Sequence, residues 1–233
     1  MKTSAGTLAA PFPYFGGKSG ACALAWSLMG NPANYVEAFA GSAAMLLGRP
    51  DDAHIETIND FDGFVANFWR AIAADPDAVA HHADWPCNEA DLFARHSWLV
   101  RQSAALVDAL NDPDYYDAKI AGWWCWGACN WIGSGWCGGS GPWVWDGEKI
   151  INSRQLPHLG NAGQGINRKL PHLGDAGQDR GTFIAGWFNH LHARMRNVRV
   201  TCGDWSRVLK DSVTTRHGMT GVFLDPPYDK GAM

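Results

Sequence analysis

The sequence predicts an α/β protein built on a parallel, doubly wound sheet. Three observations lead to that class. Short apolar strands alternate with helical runs, each strand ends in a polar or glycine-bearing turn, and no apolar stretch approaches the roughly 20 residues of a membrane span. The 233 residues are 46% hydrophobic and 18% charged, enough to bury a sizeable core in one domain with an insertion or in two small domains.

The elements follow in order. Residues 35–39 read as a strand that breaks at Ala40-Gly41-Ser42 and gives way to the apolar helical run Ala43-Ala44-Met45-Leu46-Leu47. Residues 54–58 form a second strand, closed by Asn59-Asp60. Over residues 61–74, Phe64, Val65, Phe68, Trp69 and Ile72 recur at helical spacing, and a further helix covers about residues 89–111. This alternation implies parallel strands with right-handed crossovers. Residues 122–147 concentrate seven of the thirteen tryptophans among glycines, with neither a helix nor a strand period, and predict an irregular segment. An imperfect tandem repeat follows, Leu156-Pro157-His158-Leu159-Gly160 and then Leu170-Pro171-His172-Leu173-Gly174, read as a duplicated loop because two copies are too few for a solenoid. Regular structure resumes with a helix over 187–195, a strand over 198–202 with its turn Gly203-Asp204-Trp205, and a last strand over 221–224. In open α/β sheets ligands bind at the carboxyl ends of strands, where all these polar turns fall.

Charge is distributed unevenly behind a net −4. Residues 1–150 carry 8 basic and 17 acidic groups, 151–199 carry 7 and 2, and 200–233 carry 4 and 4. The basic middle block holds Arg154, Arg168, Lys169, Arg180, Arg194, Arg196 and Arg199, and predicts the contact face for a phosphate backbone. Six cysteines spread over a chain of this length are expected as reduced thiols. Cys125, Cys129 and Cys137 lack an identified fourth ligand, and His158 and His172 are not read as ligands, so no metal is expected. The N-terminus, Met1-Lys2-Thr3-Ser4-Ala5-Gly6, runs into prolines rather than a signal-peptide core, and a soluble, cytoplasmic protein is expected.

The most informative run is Asp225-Pro226-Pro227-Tyr228 after the last apolar strand. Two prolines fix consecutive φ angles and the leading aspartate cannot relax into a helix, so acid and ring project rigidly from the strand end. An exocyclic amine on a purine is a poor nucleophile, because its lone pair is delocalised into the ring. The Asp225 carboxylate and the Pro226 carbonyl can each accept a hydrogen bond from such an NH2 and favour a tetrahedral nitrogen whose lone pair faces a methyl donor. Tyr228 supplies a face on which an extruded base stacks, worth about 1–3 kcal/mol.

Four motifs, Pro13-Tyr14-Phe15-Gly16-Gly17-Lys18, Glu37-Ala38-Phe39-Ala40-Gly41-Ser42, Asn59-Asp60 and Asp225-Pro226-Pro227-Tyr228, resemble in order and spacing those of the Dam-like (alpha-class) DNA adenine N6-methyltransferases. The Trp-rich stretch is similar to the insert of prophage-borne members. The resemblance implies a Rossmann-like sheet that binds S-adenosyl-L-methionine, with a target-recognition region inserted before the catalytic motif. Residues 1–80 would form the donor-binding half, 81–190 the recognition insert, and 191–233 the return to the sheet. It further implies catalytic roles for Asp225, Pro226, Pro227 and Tyr228. Tyr14 and Lys18 would contact the methionine end of the donor, Asp60 its ribose hydroxyls, and Asp204-Trp205 its adenine. Phe39-x-Gly41 lacks the full G-x-G-x-x-G and any P-loop lysine, which disfavours a dinucleotide or ATP site. The implied partner is double-stranded DNA with a flipped adenine, met by the tryptophans and the basic repeat.

Two other readings stand beside it. Transfer to RNA or to a protein amide is one, although amide methylases favour asparagine where this chain has Asp225. An inactive nucleic-acid-binding fragment is the other. In the family further strands follow the catalytic motif, whereas here Asp229-Lys230-Gly231-Ala232-Met233 follow it. The expectation is therefore an incomplete sheet, an uncovered apolar edge at 222–224 that invites self-association, and weak or absent activity.

Overall fold

The computed structural model describes residues 8–14, 17–50, 55–131, 135–137, 143–145, 150–152 and 180–226. In chain order the elements are α1 (Cys22–Met29), β1 (Asn34–Glu37), α2 (Ala44–Leu47), β2 (Ile55–Asp60), α3 (Gly63–Ala74), α4 (Pro76–Ala83), α5 (Glu89–Ala109), α6 (Ala118–Asn130), β3 (Trp143–Trp145), β4 (Ile150–Asn152), α7 (Arg180–Met195), β5 (Val198–Cys202) and β6 (Thr220–Phe223). Four of the strands make one parallel sheet in the order β5-β2-β1-β6. The architecture is α/β, as the alternation of strands and helices predicts.

The chain builds outward from β1 through β2 to β5, then returns to the other side of β1 with β6. That reversal opens a crevice between the carboxyl ends of β1 and β6, the place where open α/β sheets take their ligands. β1 is buried along its whole length, as a central parallel strand must be. Tyr35 faces the helical layer and stacks against Trp26 of α1, ring centroids 4.8 Å apart. Val36, on the opposite face, packs with Ala38 and with Val208 from a 3-10 turn at Trp205–Leu209.

Caps mark most of the helices. Asp62, Asp75, Asn88 and Asp117 each accept a backbone N–H in the first turn of α3, α4, α5 and α6. In α3 the residues at helical spacing, Phe64, Val65, Phe68, Trp69 and Ile72, are all buried. α4 and α1 were not anticipated, although Asp75-Pro76 carries the capping and N1-proline signature of a helix start.

Two expectations are corrected. Residues 118–130 are a helix, not an irregular segment. Trp124, Cys125, Trp126 and Cys129 of α6 are buried on several sides at once, and a helix enclosed all round has no polar face to reveal its period. β3, which pairs antiparallel with β4, also falls within residues 122–147, and a strand of three residues is too short for alternation to show. Second, Arg194 belongs to the core rather than to a phosphate-facing surface. It donates to both carboxylate oxygens of Glu56 at 2.6 and 2.8 Å, and Arg49 donates to the same carboxylate at 3.1 Å. The tandem repeat lies outside the described residues.

The six cysteines are free thiols. No described helix is long and apolar enough to cross a membrane. β6 and β5 are the two edges of the described sheet, and Val222 of β6 is exposed together with the flanking Met219 and Leu224.

α6 lies close against α4 at Gly122, where an added Cβ would sit 2.5 Å from His82 Cβ and 2.6 Å from the Val79 carbonyl oxygen. Helix propensity alone favours alanine over glycine by about 1 kcal/mol. Overpacking against backbone opposes it by about 1–3 kcal/mol. The net cost is up to about 2 kcal/mol, so Gly122→Ala is expected to lower Tm by up to about 4–8 °C in thermal unfolding, and a rise in Tm would contradict this contact.

Candidate functional site

The site is built from the turns that leave β1, β2, β5 and β6. After β1 the chain turns through Gly41 at φ +47° and Ala43 at φ +51°. Three contacts hold that turn. Asp60 accepts the Gly41 N–H through Oδ2 at 2.8 Å, Trp69 donates its indole N–H to the Gly41 carbonyl at 3.0 Å, and Ala40 donates to the Asn59 carbonyl at 2.9 Å. Asp60 also accepts the Asp62 N–H through Oδ1 at 2.9 Å. Asn59 ties in the neighbouring strands, donating to the carbonyls of Ala38 at 3.1 Å and Gly203 at 2.9 Å.

The N-terminal segment crosses this platform because Phe12 anchors it. Phe12 is buried among Phe68, Trp69 and Trp124, its ring edge-on to Trp124 at 4.7 Å. Two residues on, Tyr14 lies over Gly41 so closely that an added Cβ would stand 2.4 Å from the ring. Gly41 is thus required both by its backbone conformation and by the ring above it. Further along, the Lys18 ammonium reaches the Asp225 carboxylate at 2.7 Å.

These parts enclose a cleft of about 550 Å³ at the β1–β6 crevice, a size suited to a small molecule. Tyr14, Lys18, Phe39, Asp60, Asp204, Trp205, Asp225 and Pro226, all anticipated from sequence, line it together. Gly41 stands behind Tyr14 and shapes the turn. Pro227 and Tyr228 lie outside the described residues. Phe39 and Trp205 form an aromatic pair, centroids 6.0 Å apart. Asp204 caps the 3-10 turn that carries Trp205, and its bonds from Ser206 hold its carboxyl below the usual range. The polarity of the cleft is one-sided. Glu37, Asp60, Asp204 and Asp225 face one lysine, which suits a ligand with a cationic end.

Several residues here were not singled out from sequence. Glu37 is buried, accepts from Leu46 N–H at 3.0 Å and the Tyr35 hydroxyl at 3.2 Å, and has its pKa pushed up to about 8 by desolvation. A carboxyl inside a continuous apolar strand was the available signal. Phe61, directly after Asp60, is 81% exposed yet lines the cleft. Desolvation also raises the Asp60 carboxyl and takes Asp62 to about 6, and together with those two acids it raises the Tyr14 phenol.

The described residues do not bring the expected nucleic-acid contacts together at the cleft. Trp124, Trp126 and Trp131 are core residues, not surface contacts. Arg196 and Arg199 are exposed, but they stand at the amino end of β5, the end of the sheet away from the cleft. Among the described residues no cluster of three or more His, Cys, Asp or Glu side chains is arranged to hold a metal ion. No protein-family model matches the chain, and no curated protein matches it.

Glu37 sets a pH dependence of stability. Its folded pKa is raised, so its contribution is complete below about pH 4.3, the unfolded value, and is lost as pH rises through about 8. The Tm of the native chain is expected to fall across that window, with Asp62 contributing only its lower part. In Glu37→Gln the fall above about pH 6 is expected to flatten. An unchanged slope in differential scanning calorimetry would remove Glu37 as its source.

Proposed function

We propose that the chain transfers a methyl group from S-adenosyl-L-methionine to N6 of an adenine in DNA. The observation that carries the reading is the meeting of Lys18 and Asp225, from opposite ends of the chain, in the cleft that also holds Phe39, Asp60 and Trp205. The Dam-like motifs name these same positions. The β5-β2-β1-β6 order supports a Rossmann-like methyltransferase sheet, with the cleft at its switch point.

The residues present fit the donor. Its cationic end suits the surplus of acids over the one lysine that lines the cleft, its ribose suits Asp60, and its flat heterocycle suits Phe39, Phe61 and Trp205. Each Asp60 oxygen already accepts one backbone N–H and keeps a lone pair for a ligand hydroxyl. When bound, the donor supplies an electrophilic methyl group on a sulfonium.

The remaining work belongs to this chain. Lys18 engages Asp225 Oδ2 and so orients the carboxylate, leaving Oδ1 to accept from the adenine amine. The Pro226 carbonyl accepts a hydrogen bond from the second amine N–H. With both protons held out of the ring plane, the nitrogen lone pair leaves conjugation and becomes nucleophilic. The proton shed after transfer passes to Asp225 and on to water. General-base and positioning groups of this kind contribute about 10²–10⁴-fold.

The test is incorporation of labelled methyl into DNA with and without adenine. Label that depends on adenine and falls at least about 100-fold in Asp225→Ala is expected. Label appearing instead in RNA or a protein amide, or donor binding with no transfer to any acceptor, would overturn the reading. Trp205→Ala is expected to weaken donor binding by about 1–3 kcal/mol in titration calorimetry. An unchanged affinity would leave Trp205 a packing partner of Phe39 only.

A further inference from the structure

A second cleft, of about 960 Å³, lies on the helical layer between α4, α5, α6 and the start of α7, apart from the strand-end site. Arg95 of α5 lines it and is only 7% exposed. Its guanidinium is enclosed by indoles, 4.3 Å from the Trp126 centroid and 4.9 Å from those of Trp85 and Trp123. Beside it the Lys119 ammonium lies 4.5 Å from Trp123 and 4.6 Å from Trp98, so cations and aromatic faces alternate along the wall.

The caged arginine is incompletely satisfied. Among the described residues Nη1 of Arg95 has no hydrogen-bond acceptor. Asp91, its nearest acid, gives Oδ2 to the Trp85 and Asn88 N–H groups instead. Asp77 accepts from Asn189. A buried guanidinium donor left unpaired is costly, and aromatic faces offer it no lone pair of comparable strength. The missing partner is an acceptor, and an anionic oxygen is the strongest one available. Exposed Arg101 and the imidazoles of His81 and His82 line the same cleft, while the Trp85 ring is 46% exposed at its rim.

We infer that this cleft binds a nucleotide, its phosphate drawn to Arg95 and Arg101 and its base stacked on Trp85. A flat base and an anionic oxygen together match the two things the wall offers, an open indole and an unpaired N–H. The acids on the wall, Asp77, Asp84 and Asp91, favour a single nucleotide bearing one phosphate group over a run of phosphates. The unit can come from a free mononucleotide or from a nucleic-acid strand. The inference is independent of the methyl-transfer reading, because it uses none of the strand-end residues.

The full chain is titrated, without methyl donor, with dAMP and with a labelled single-stranded oligonucleotide of about 12 nucleotides, followed by tryptophan fluorescence and anisotropy. Saturable binding is expected, weakened about tenfold or more in Trp85→Ala and in Arg101→Ala. Both substitutions are at exposed positions, and near-UV circular dichroism checks that the fold is kept. Arg95→Met tests the caged cation itself. Binding of dAMP assigns the free nucleotide as ligand, and binding of the oligonucleotide alone assigns the strand. No saturable binding of either probe, or equal affinity in the folded Trp85 and Arg101 variants, overturns the inference. Because turnover is not measured, failure here leaves the methyl-transfer reading standing, and failure of that reading leaves this one.

Discussion

The Asn59 side chain sets the spacing on which the strand-end cleft depends. Its amide group donates to carbonyls just beyond β1 and β5, while its oxygen accepts the Thr201 hydroxyl at 2.9 Å. Three strand ends are thereby held in one frame from the central strand between them. Asp60, the next residue, extends the frame to the Gly41 turn. β2 is thus polar at residues that are nearly all buried, and Glu56, Asn59 and Asp60 are met by specific partners, while the Thr57 hydroxyl has no side-chain partner among the described residues. Glu56 plays the same part lower on the strand, with Arg49 and Arg194. Removing one member of such a buried group typically costs about 3–5 kcal/mol, because the others are left uncompensated.

The cleft also depends on a segment far away in the chain. Phe12, wedged among three aromatic rings of the helical core, fixes where Tyr14 and Lys18 arrive. Packing in one layer therefore decides electrostatics in another. The Lys18–Asp225 pair is half-shielded at both ends, with side-chain exposures of 27% and 19%, so it gains more from attraction than an open surface pair while avoiding full desolvation.

Much of this organisation was legible in the sequence, for definable reasons. Strands with polar turns at their ends are short-range patterns, and the β5 bounds and the α3 core positions could be read from them, whereas most of the cleft residues were anticipated through the resemblance of their motifs. What escaped was set by burial. Trp123 to Asn130 carry no period because α6 is enclosed, and tryptophans counted as nucleic-acid contacts proved to be core. Counting charges along the chain cannot reveal that Arg194 is spent on Glu56. The apolar run around Glu37 flagged an unusual carboxyl but could not reveal that its bonds among the described residues are to the Leu46 N–H and the Tyr35 hydroxyl.

The pairing of Glu56 with Arg194 has a consequence for how the chain can vary. It joins β2 to the end of α7, immediately before β5, and the adjacent strands β2 and β5 lie in register beside it. The chain between them forms a long loop whose two ends this pair helps to clamp together. The entropy of closing such a loop grows only logarithmically, about 0.6 kcal/mol for each doubling of length. The sheet and its cleft can therefore tolerate changes of length in that stretch only where they spare β2, α3 and α6, because Asn59, Asp60, Phe68, Trp69 and Trp124 hold the strand ends and the N-terminal segment in place.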